Sequence, residues 1–193
     1  MDRRPSFSAL DIISRVITEH VKEGDLCIDA TAGRGNDTAM LCELVGESGK
    51  VIAFDIQEDA VESTKELLTK KGLSERAEVH LQSHSEMGKY AEKGTVSCIT
   101  FNFGWLPKGD HNIFTKKETS IPAIESGLKL LKKGGIMTLI IYYGRETGFE
   151  ERDALLEFFP TLDSKKYTVI EMPFVNRPNC PPIPVVILKD AED

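Results

Sequence analysis

The chain has 193 residues, a formal net charge of −7, 40% hydrophobic and 28% charged residues, as expected for one soluble globular domain of ordinary size. It contains no apolar run near the roughly 18 residues of a membrane-spanning helix and no signal-peptide core at its N-terminus, so we expect a cytoplasmic protein. The acidic total argues against indiscriminate binding to nucleic acids.

Apolar periodicity predicts one helix followed by repeated strand–helix pairs. The first helix carries an apolar stripe from Ala9 to Val21, with Ser8 as its N-cap and Asp11 completing a capping box. Buried strands are then predicted at 26–30, 50–56, 77–83, 96–103 and 136–143. The helices that follow them are predicted at 36–47, 57–72, 85–92, 119–135 and 149–162.

The C-terminal part contains two β-rich runs, 166–175 and 183–189, joined by a proline-rich turn. Consecutive strands without a crossover helix pair antiparallel. Five strand–helix pairs and this hairpin predict an α/β fold, with a doubly wound Rossmann-like sheet that is mostly parallel and has an antiparallel C-terminal strand. No linker divides the chain, so residues 1–193 are predicted to form a single domain.

The cysteines and histidines follow neither a metal-binding nor a disulfide pattern. Cys27, Cys42, Cys98 and Cys180 lie 15, 56 and 82 residues apart without a C-x-x-C pair, and three of them fall in apolar segments. We therefore predict buried, reduced thiols and no metal site.

The stretch DATAGRGN, between the first strand and the next helix, lies where an open α/β sheet binds its ligand. Gly33 and Gly35 allow the backbone to approach that ligand closely. A phosphate-binding P-loop is excluded because no Lys follows the glycines. A dinucleotide turn is disfavoured because Thr38 replaces its third glycine and because Asp29 would repel a pyrophosphate.

S-adenosylmethionine (SAM) suits this turn better, since it carries a sulfonium and an ammonium but no phosphate. Asp29 then faces a cation, and Asp55, 20 residues after Gly35, can accept both ribose hydroxyls. Together, Asp29, Gly33, Gly35 and Asp55 predict SAM as the cofactor. Gln57, Ser83 and His84 are predicted to add further polar contacts.

The fourth strand ends in FNFGWLPKGDH, where a methyl acceptor would face the sulfonium. This segment is similar to the [DN]-P-P-[YFW] signature of amino-methylating nucleic-acid enzymes, but Phe103 and Gly104 replace both prolines. The absence of the two prolines favours a basic aliphatic amine, and not a ring-conjugated one, as the methyl acceptor. The amide oxygen of Asn102 would hold that amine, and Asp110 or His111 would accept its proton.

Other substrate contacts are predicted from three further places. Trp105 offers a flat surface to a base, and Tyr142 and Arg145 follow the fifth strand, at the rim of the same cleft. Arg177, in the proline-rich turn, can contact a phosphate.

A basic island runs through residues 107–133, where six lysines face three acidic residues, a net charge of +3. Such an island suits a small enzyme that binds one structured RNA. The equally open interpretation is a solvated helix face.

Four motifs, DATAGRGNDT, FDIQ, NFGWLPKGDH and the RP and PP pairs near the C-terminus, resemble a bacterial family long labelled rRNA methylases. Its members are similar to the tRNA methyltransferases that convert 5-aminomethyluridine at the wobble position to 5-methylaminomethyluridine, often on 2-thiouridine. The resemblance spans Ala9 to Lys189. It implies a class I SAM-methyltransferase fold, SAM as cofactor and the anticodon region of tRNA as partner.

The resemblance also implies a set of site residues. SAM would contact Asp29, Gly33, Asn36, Asp37, Thr38, Asp55, Gln57 and His84, with Thr31, Gly35, Ile56, Ser83 and Asn102 as further predicted contacts. The predicted catalytic residues are Asn102, Asp110 and Tyr142, and the predicted substrate contacts are Gly104, Trp105, Pro107, His111, Arg145 and Arg177. The chain departs from the family at Arg34, where Asn is common, and at YYGRETG, where a His-rich turn is common.

Alternatives to this wobble-uridine reaction stay open at the level of sequence. They are a methyltransferase for ribosomal RNA or for a small molecule, a SAM-binding RNA module without catalysis, and an NAD-dependent reductase. The sequence also leaves open whether the protein is a monomer or a homodimer.

Overall fold

The computed structural model describes residues 7–104 and 115–192, with the backbone alone at residues 145–147. The helices in these ranges are α1 (Ala9–His20), α2 (Asn36–Val45), α3 (Glu58–Lys71), α4 (Lys117–Leu130) and α5 (Arg145–Phe158). The strands are β1 (Leu26–Asp29), β2 (Lys50–Asp55), β3 (Ala77–Leu81), β4 (Val96–Phe103), β5 (Leu131–Ile141), β6 (Tyr167–Glu171) and β7 (Ile183–Lys189). Short 3-10 helices lie at Ser74–Arg76, His84–Lys89 and Phe159–Thr161.

The strands form a single sheet in the order β3-β2-β1-β4-β5-β7-β6. Strand β7 is inserted between β5 and β6 and runs antiparallel to both, while the pairs among β1 to β5 are parallel. The predicted doubly wound sheet with one antiparallel C-terminal strand is therefore confirmed. The strand order reverses between β1 and β4, so their carboxyl ends form the switch point where ligands bind in this architecture.

Helices cover both faces of the sheet because the strands are apolar on both sides. On one face α1, α2 and α3 bury Ile17, Leu41 and Leu68 against the sheet. On the other face α4 and α5 bury Ile124 and Leu155. Among the described helices none has the length and apolar character needed to cross a membrane.

Helix α1 begins as its sequence predicts. The Ser8 hydroxyl accepts the Asp11 N–H at 3.1 Å, and the Asp11 carboxylate accepts the Ser8 N–H at 3.0 Å. This capping box satisfies two backbone donors that the first turn would otherwise leave unpaired.

The predicted cysteine chemistry is confirmed for three positions and corrected at the fourth. Cys27, Cys42 and Cys98 are buried free thiols, whereas Cys180 is a free thiol at the surface. Burial raises the pKa of Cys27 to about 12, so this thiol stays protonated.

The boundary between α4 and β5 differs from the prediction. The helix ends at Leu130 and the strand begins at Leu131, whereas Gly134 and Gly135 were expected to stop the helix. The two glycines instead lie in an irregularity of β5, where the pairing shifts between Val96 and Cys98 of β4. A side chain at Gly135 would come within 2.9 Å of the Val96 carbonyl oxygen. Glycine is therefore needed here because β4 and β5 approach closely, and not because a helix ends.

Two other boundaries were wrong by several residues. Helix α5 starts at Arg145 and not at residue 149, so Gly148 lies inside the helix. The backbone of Tyr143 packs close to Gly148, which is possible because glycine has no side chain. Strand β6 ends at Glu171, before the predicted end at 175.

Candidate active site

A crevice of about 640 Å³ opens at the carboxyl ends of β1, β2, β4 and β5. Its volume is that of a small-molecule site, which occupies roughly 300–1,000 Å³ in most proteins. Twelve of the predicted site residues line it: Thr31, Gly33, Asn36, Asp37, Asp55, Ile56, Gln57, Ser83, His84, Asn102, Gly104 and Tyr142.

Asp55 fixes the glycine turn against the end of β2. Its carboxylate accepts the Gly33 N–H at 2.9 Å and the Gln57 N–H, also at 2.9 Å. A carboxylate has about four lone-pair sites, so two hydrogen bonds leave acceptor capacity on the crevice side. Asp55 can therefore hold the turn and still accept hydroxyls from a bound ribose.

Asp29, which is predicted to contact the cofactor, does not line the crevice. Its side chain is fully buried, accepting the Thr38 hydroxyl at 2.6 Å and the Thr31 N–H at 3.2 Å. Burial, with a smaller contribution from the charge of Asp37, raises the pKa of Asp29 to about 7. Asp29 and Thr38 thus connect β1 to the start of α2 behind the turn.

Gly35 likewise supports the site from outside the crevice. It caps α2 with a φ of 80°, in the left-handed region. A side chain there would meet the Thr64 backbone at 2.9 Å, so α3 can pack against this turn only if the residue is glycine.

His84 presents an unpaired ring nitrogen at the end of β3. Its side chain is only 9% exposed and packs edge-on against Phe101 and Phe103. One ring N–H donates to the Ala30 carbonyl, and burial lowers the pKa of the imidazole, which therefore stays neutral. Nε2 is buried and has no partner among the described residues, so it can accept a hydrogen bond from an exocyclic amine such as that of adenine.

Asn102, near the end of β4, is oriented by two hydrogen bonds. Its backbone N–H donates to the Thr31 hydroxyl at 2.7 Å, and its Nδ2 donates to the Asp37 carboxylate, also at 2.7 Å. Because the NH₂ group faces Asp37, Oδ1 points the other way, and within the described residues it has no hydrogen-bond partner. Burial raises the pKa of Asp37, while the bond from Asn102 opposes that shift.

Gly104 and Tyr142 contact each other at the opening of the crevice. Gly104 has a φ of 142°, and a side chain on it would come within 2.9 Å of the Tyr142 Cβ. The Tyr142 N–H donates to the Phe103 carbonyl at 2.9 Å, which fixes the start of the loop after β5. Burial and the charge of Asp37 raise the pKa of Tyr142, so its hydroxyl keeps its proton.

Several predicted residues are not brought into this crevice by the described structure. Arg177 does not line it; its exposed guanidinium lies 3.9 Å from the centre of the Phe174 ring. Arg145 is the first residue of α5, and its side chain is not described. Trp105, Pro107, Asp110 and His111 lie outside the described residues.

Other lining residues escaped the sequence prediction: Leu10, Gln82, Thr115, Lys116, Thr119 and Arg34. Only Arg34 could have been predicted from its neighbours in sequence, because it lies between the two glycines of the turn. The others lie in α1, directly after β3, and just before or at the start of α4, and only the fold brings these regions together.

The described lysines of the basic island do not form one surface. Lys116 borders the crevice, but Lys129 lies in the last turn of α4, a helix of 14 residues that is about 20 Å long at 1.5 Å per residue. Lys132 forms an ion pair with Asp25 at 2.8 Å, at the amino ends of the strands. The island is thus divided between opposite ends of the sheet.

Comparison with known proteins connects this crevice to methyltransferases. The family model described as "Putative rRNA methylase" matches residues 51–188. A chloroplastic tRNA (mnm5s2U34)-methyltransferase of Arabidopsis thaliana is 36% identical over 179 residues, covering 88% of this chain and 65% of that protein. The chain therefore spans less than two thirds of that curated relative's length.

Two solved structures cover nearly the whole fold. A protein of Clostridium thermocellum with the same family description is 46% identical, with a TM-score of 0.93 over 95% of this chain and 98% of that one. A methyltransferase structure from Streptococcus mutans, in complex with S-adenosylhomocysteine (SAH), is 33% identical, with a TM-score of 0.85 over 98% of this chain and 99% of that one.

Proposed function

This chain belongs to the rRNA methylase family, whose fold is that of class I SAM-dependent methyltransferases, and we propose that it methylates an aliphatic amine on RNA. The proposed substrate is 5-aminomethyluridine, with or without a 2-thio group, at the wobble position of tRNA. The product is 5-methylaminomethyluridine. The Arabidopsis relative, whose name specifies this wobble nucleoside, supports the choice.

The crevice has the groups that SAM needs. Asp55 offers acceptor capacity for a ribose, and the buried Nε2 of His84 lacks the donor that an adenine amine would supply. The cavity encloses these groups and the glycine turn in one space. When bound there, SAM supplies an electrophilic methyl group on a positively charged sulfur.

The observation that carries the proposal is the unpaired Oδ1 of Asn102. Asp37 holds the amide NH₂ group, which leaves Oδ1 as a buried acceptor without a partner among the described residues, and an amine N–H is a donor that would pair with it. If Oδ1 accepts that N–H, the hydrogen bond fixes the orientation of the amine, so that its lone pair can point at the methyl group as in-line transfer requires. In this role Asn102 positions the nucleophile, and Asp37 positions Asn102.

The reaction balances without an added reductant or metal. The amine lone pair forms the new C–N bond as the methyl–sulfur bond breaks, and the sulfur keeps that electron pair in SAH. The methylated nitrogen then loses one proton. An alkylamine of ordinary basicity is mostly protonated at neutral pH, so it must also lose a proton before it attacks.

Phe103 and Gly104 at the proline positions of the amino-methylating signature also favour an alkylamine. An exocyclic amine of adenine or cytosine is conjugated with its ring and needs help to expose its lone pair. An aliphatic amine has an available lone pair once it is neutral. A segment without the rigid proline pair is sufficient for that simpler task.

The direct test is nucleoside analysis of tRNA by mass spectrometry. We expect tRNA from a strain lacking this protein to accumulate 5-aminomethyl nucleosides, and the purified protein with SAM to convert them to the methylated form. Unchanged wobble nucleosides in the deletion strain would refute the substrate.

The name of the family model favours a second candidate, methylation of ribosomal RNA. Labelled SAM incubated separately with total tRNA, with rRNA and with an RNA-free extract distinguishes the candidates. Label in rRNA alone would replace the tRNA proposal, and label only in the RNA-free extract would indicate a small-molecule acceptor.

A further inference from the structure

A buried carboxylate outside the crevice is hydrogen-bonded to Thr115 and Ser120. Glu151, on α5, is only 3% exposed. Its Oε2 accepts the Thr115 hydroxyl at 2.7 Å, and its Oε1 accepts the Ser120 hydroxyl at 2.6 Å. Glu151 does not line the crevice, whereas Thr115 does.

Thr115 is also hydrogen-bonded to Gly104, the residue that follows β4. Its hydroxyl oxygen accepts the Gly104 N–H at 2.8 Å, and its own N–H donates to the Gly104 carbonyl at 3.0 Å. Gly104 and Thr115 are the residues on either side of segment 105–114, which contains the predicted acceptor residues. Two hydrogen bonds therefore join the two residues that flank that segment, and the buried Glu151 carboxylate accepts the hydroxyl of one of them.

Packing alone does not account for an acidic residue at this position. Burial raises the pKa of Glu151, which means that the site penalises its charge, and the two hydroxyl bonds offset only part of that penalty. An apolar residue of similar size would join α4 and α5 without that cost. What the carboxylate adds is direction, because it orients the Thr115 hydroxyl and leaves that oxygen free to accept from Gly104.

We propose that Glu151 is a positioning residue for methyl transfer. Through Thr115 it fixes Gly104 relative to Asn102, which lies two residues before Gly104. This inference rests on the proposed function, since it assigns the segment to the methyl acceptor. A displacement of about 1 Å at a reacting group can lower the rate by roughly 100-fold, so small changes at Thr115 should affect turnover.

The first test uses Thr115→Val, which keeps the side-chain shape and removes the hydroxyl, beside Thr115→Ser, which keeps the hydroxyl. We expect Thr115→Val to lower kcat on tRNA at least about tenfold with SAM affinity within about twofold, and Thr115→Ser to restore most of the activity. Thr161→Val is the matched control, since it removes a local hydroxyl bond to the Phe158 carbonyl at the exposed end of α5. Equal loss in the Ser and Val variants would overturn the proposal.

The second test is a double-mutant cycle between Thr115→Val and Glu151→Gln. If Glu151 acts through Thr115, the double variant loses no more activity than Thr115→Val alone. Losses that multiply would mean that Glu151 acts independently of Thr115 and would contradict the inference.

Hydrogen exchange of the SAH-bound protein gives a readout that needs no RNA substrate. We expect peptides covering residues 104–120 to exchange faster in Thr115→Val than in the wild type, while other peptides remain unchanged. Unchanged exchange would refute the connection whatever the substrate is. Faster exchange in Thr115→Val, together with a wild-type protein that methylates no tRNA, would retain the connection and reject the proposed function.

Discussion

Asp29 and Asp55 end neighbouring strands, but their burial gives the two carboxylates different roles. Asp29 is fully buried and bonded to Thr38 behind the turn, whereas Asp55 borders the crevice while it holds the Gly33 N–H. The same residue type therefore supports the backbone at one strand end and borders the crevice at the next. Substitutions at the two positions should have different consequences.

Replacing Asp55 by Asn should weaken SAM binding at least about tenfold, or about 1.4 kcal/mol. The neutral amide cannot accept two backbone N–H groups and the ribose hydroxyls as a carboxylate does. Isothermal titration with SAM measures the effect. Asp163→Asn is the matched control, because Asp163 also accepts the N–H two residues later, at 3.0 Å from Lys165, but on an exposed turn. Equal SAM affinity in wild type and Asp55→Asn would contradict the assignment.

Replacing Asn102 by Ala should lower kcat about 100-fold with a smaller loss of SAM affinity, because the acceptor amine loses its fixed partner. Single-turnover methylation of tRNA, with SAM affinity measured in parallel, separates the two effects. A fully active Asn102→Ala variant would remove Asn102 from the reaction and reopen the interpretation as a SAM-binding module.

The raised pKa of Asp29 predicts a pH-dependent stability. The folded value of about 7 lies above the ordinary value of about 3.9, so the folded state binds this proton more tightly than the unfolded state. The stability from that proton is complete below about pH 3.9 and is lost as the pH rises through about 7. Asp29→Asn removes this titration. We therefore expect the Tm of the wild type to fall relative to Asp29→Asn between about pH 5 and pH 8.

Asp163→Asn, at an exposed carboxyl, controls for the general effect of removing a charge. A constant difference in Tm between wild type and Asp29→Asn across that pH range would show that Asp29 does not titrate there.

At the level of elements, the ends of β4 and β5 must approach closely to form the acceptor side of the crevice. Gly104 follows β4 and Tyr142 follows β5, and their contact leaves no space for a side chain on residue 104. The Thr115 and Glu151 hydrogen bonds then join the same strand end to α4 and α5.

Gly104→Ala should lower methyl transfer more than Gly144→Ala does. Both glycines have a φ that disfavours side chains, 142° and 150°, but only at Gly104 would a Cβ meet a neighbour, the Tyr142 Cβ at 2.9 Å. The pair therefore separates backbone strain from steric displacement of Tyr142. Turnover and Tm are measured for both variants, and equal turnover would mean that the Tyr142 contact has no part in catalysis.

At the scale of the whole molecule, the proposed RNA substrate would require cations at the opening of the crevice, because the chain as a whole is acidic. Lys116 is at that opening, while Lys132 is paired with Asp25 at the opposite end of the sheet. If the chain binds RNA as proposed, we expect the basic island to contribute only through its part near the crevice.

We expect Lys116→Gln to raise the KM for tRNA several-fold and Lys132→Gln to leave it unchanged, because only the first change removes a cation near the substrate. Methylation kinetics at two salt concentrations measure the effect, which should shrink as salt rises. A larger effect at Lys132 would place the RNA on the opposite end of the sheet.

Local chemistry made most of the fold predictable. The Ser8–Asp11 box, the alternating strand and helix periods and the glycine turn after β1 all depend on residues close together in the chain. The α4–β5 boundary was predicted wrongly because Gly134 and Gly135 look like a helix stop, and their actual constraint is the neighbouring strand β4.

The sequence by itself predicted the fold class, the position of the switch point and twelve of the residues that line the crevice, because the carboxyl ends of parallel strands meet at one edge. Only the tertiary structure decided that Asp29 is buried behind the turn, that Oδ1 of Asn102 is unpaired, and that Glu151 supports Thr115. Burial and hydrogen-bond pairing depend on elements far apart in the chain, and no local pattern encodes which of them will meet.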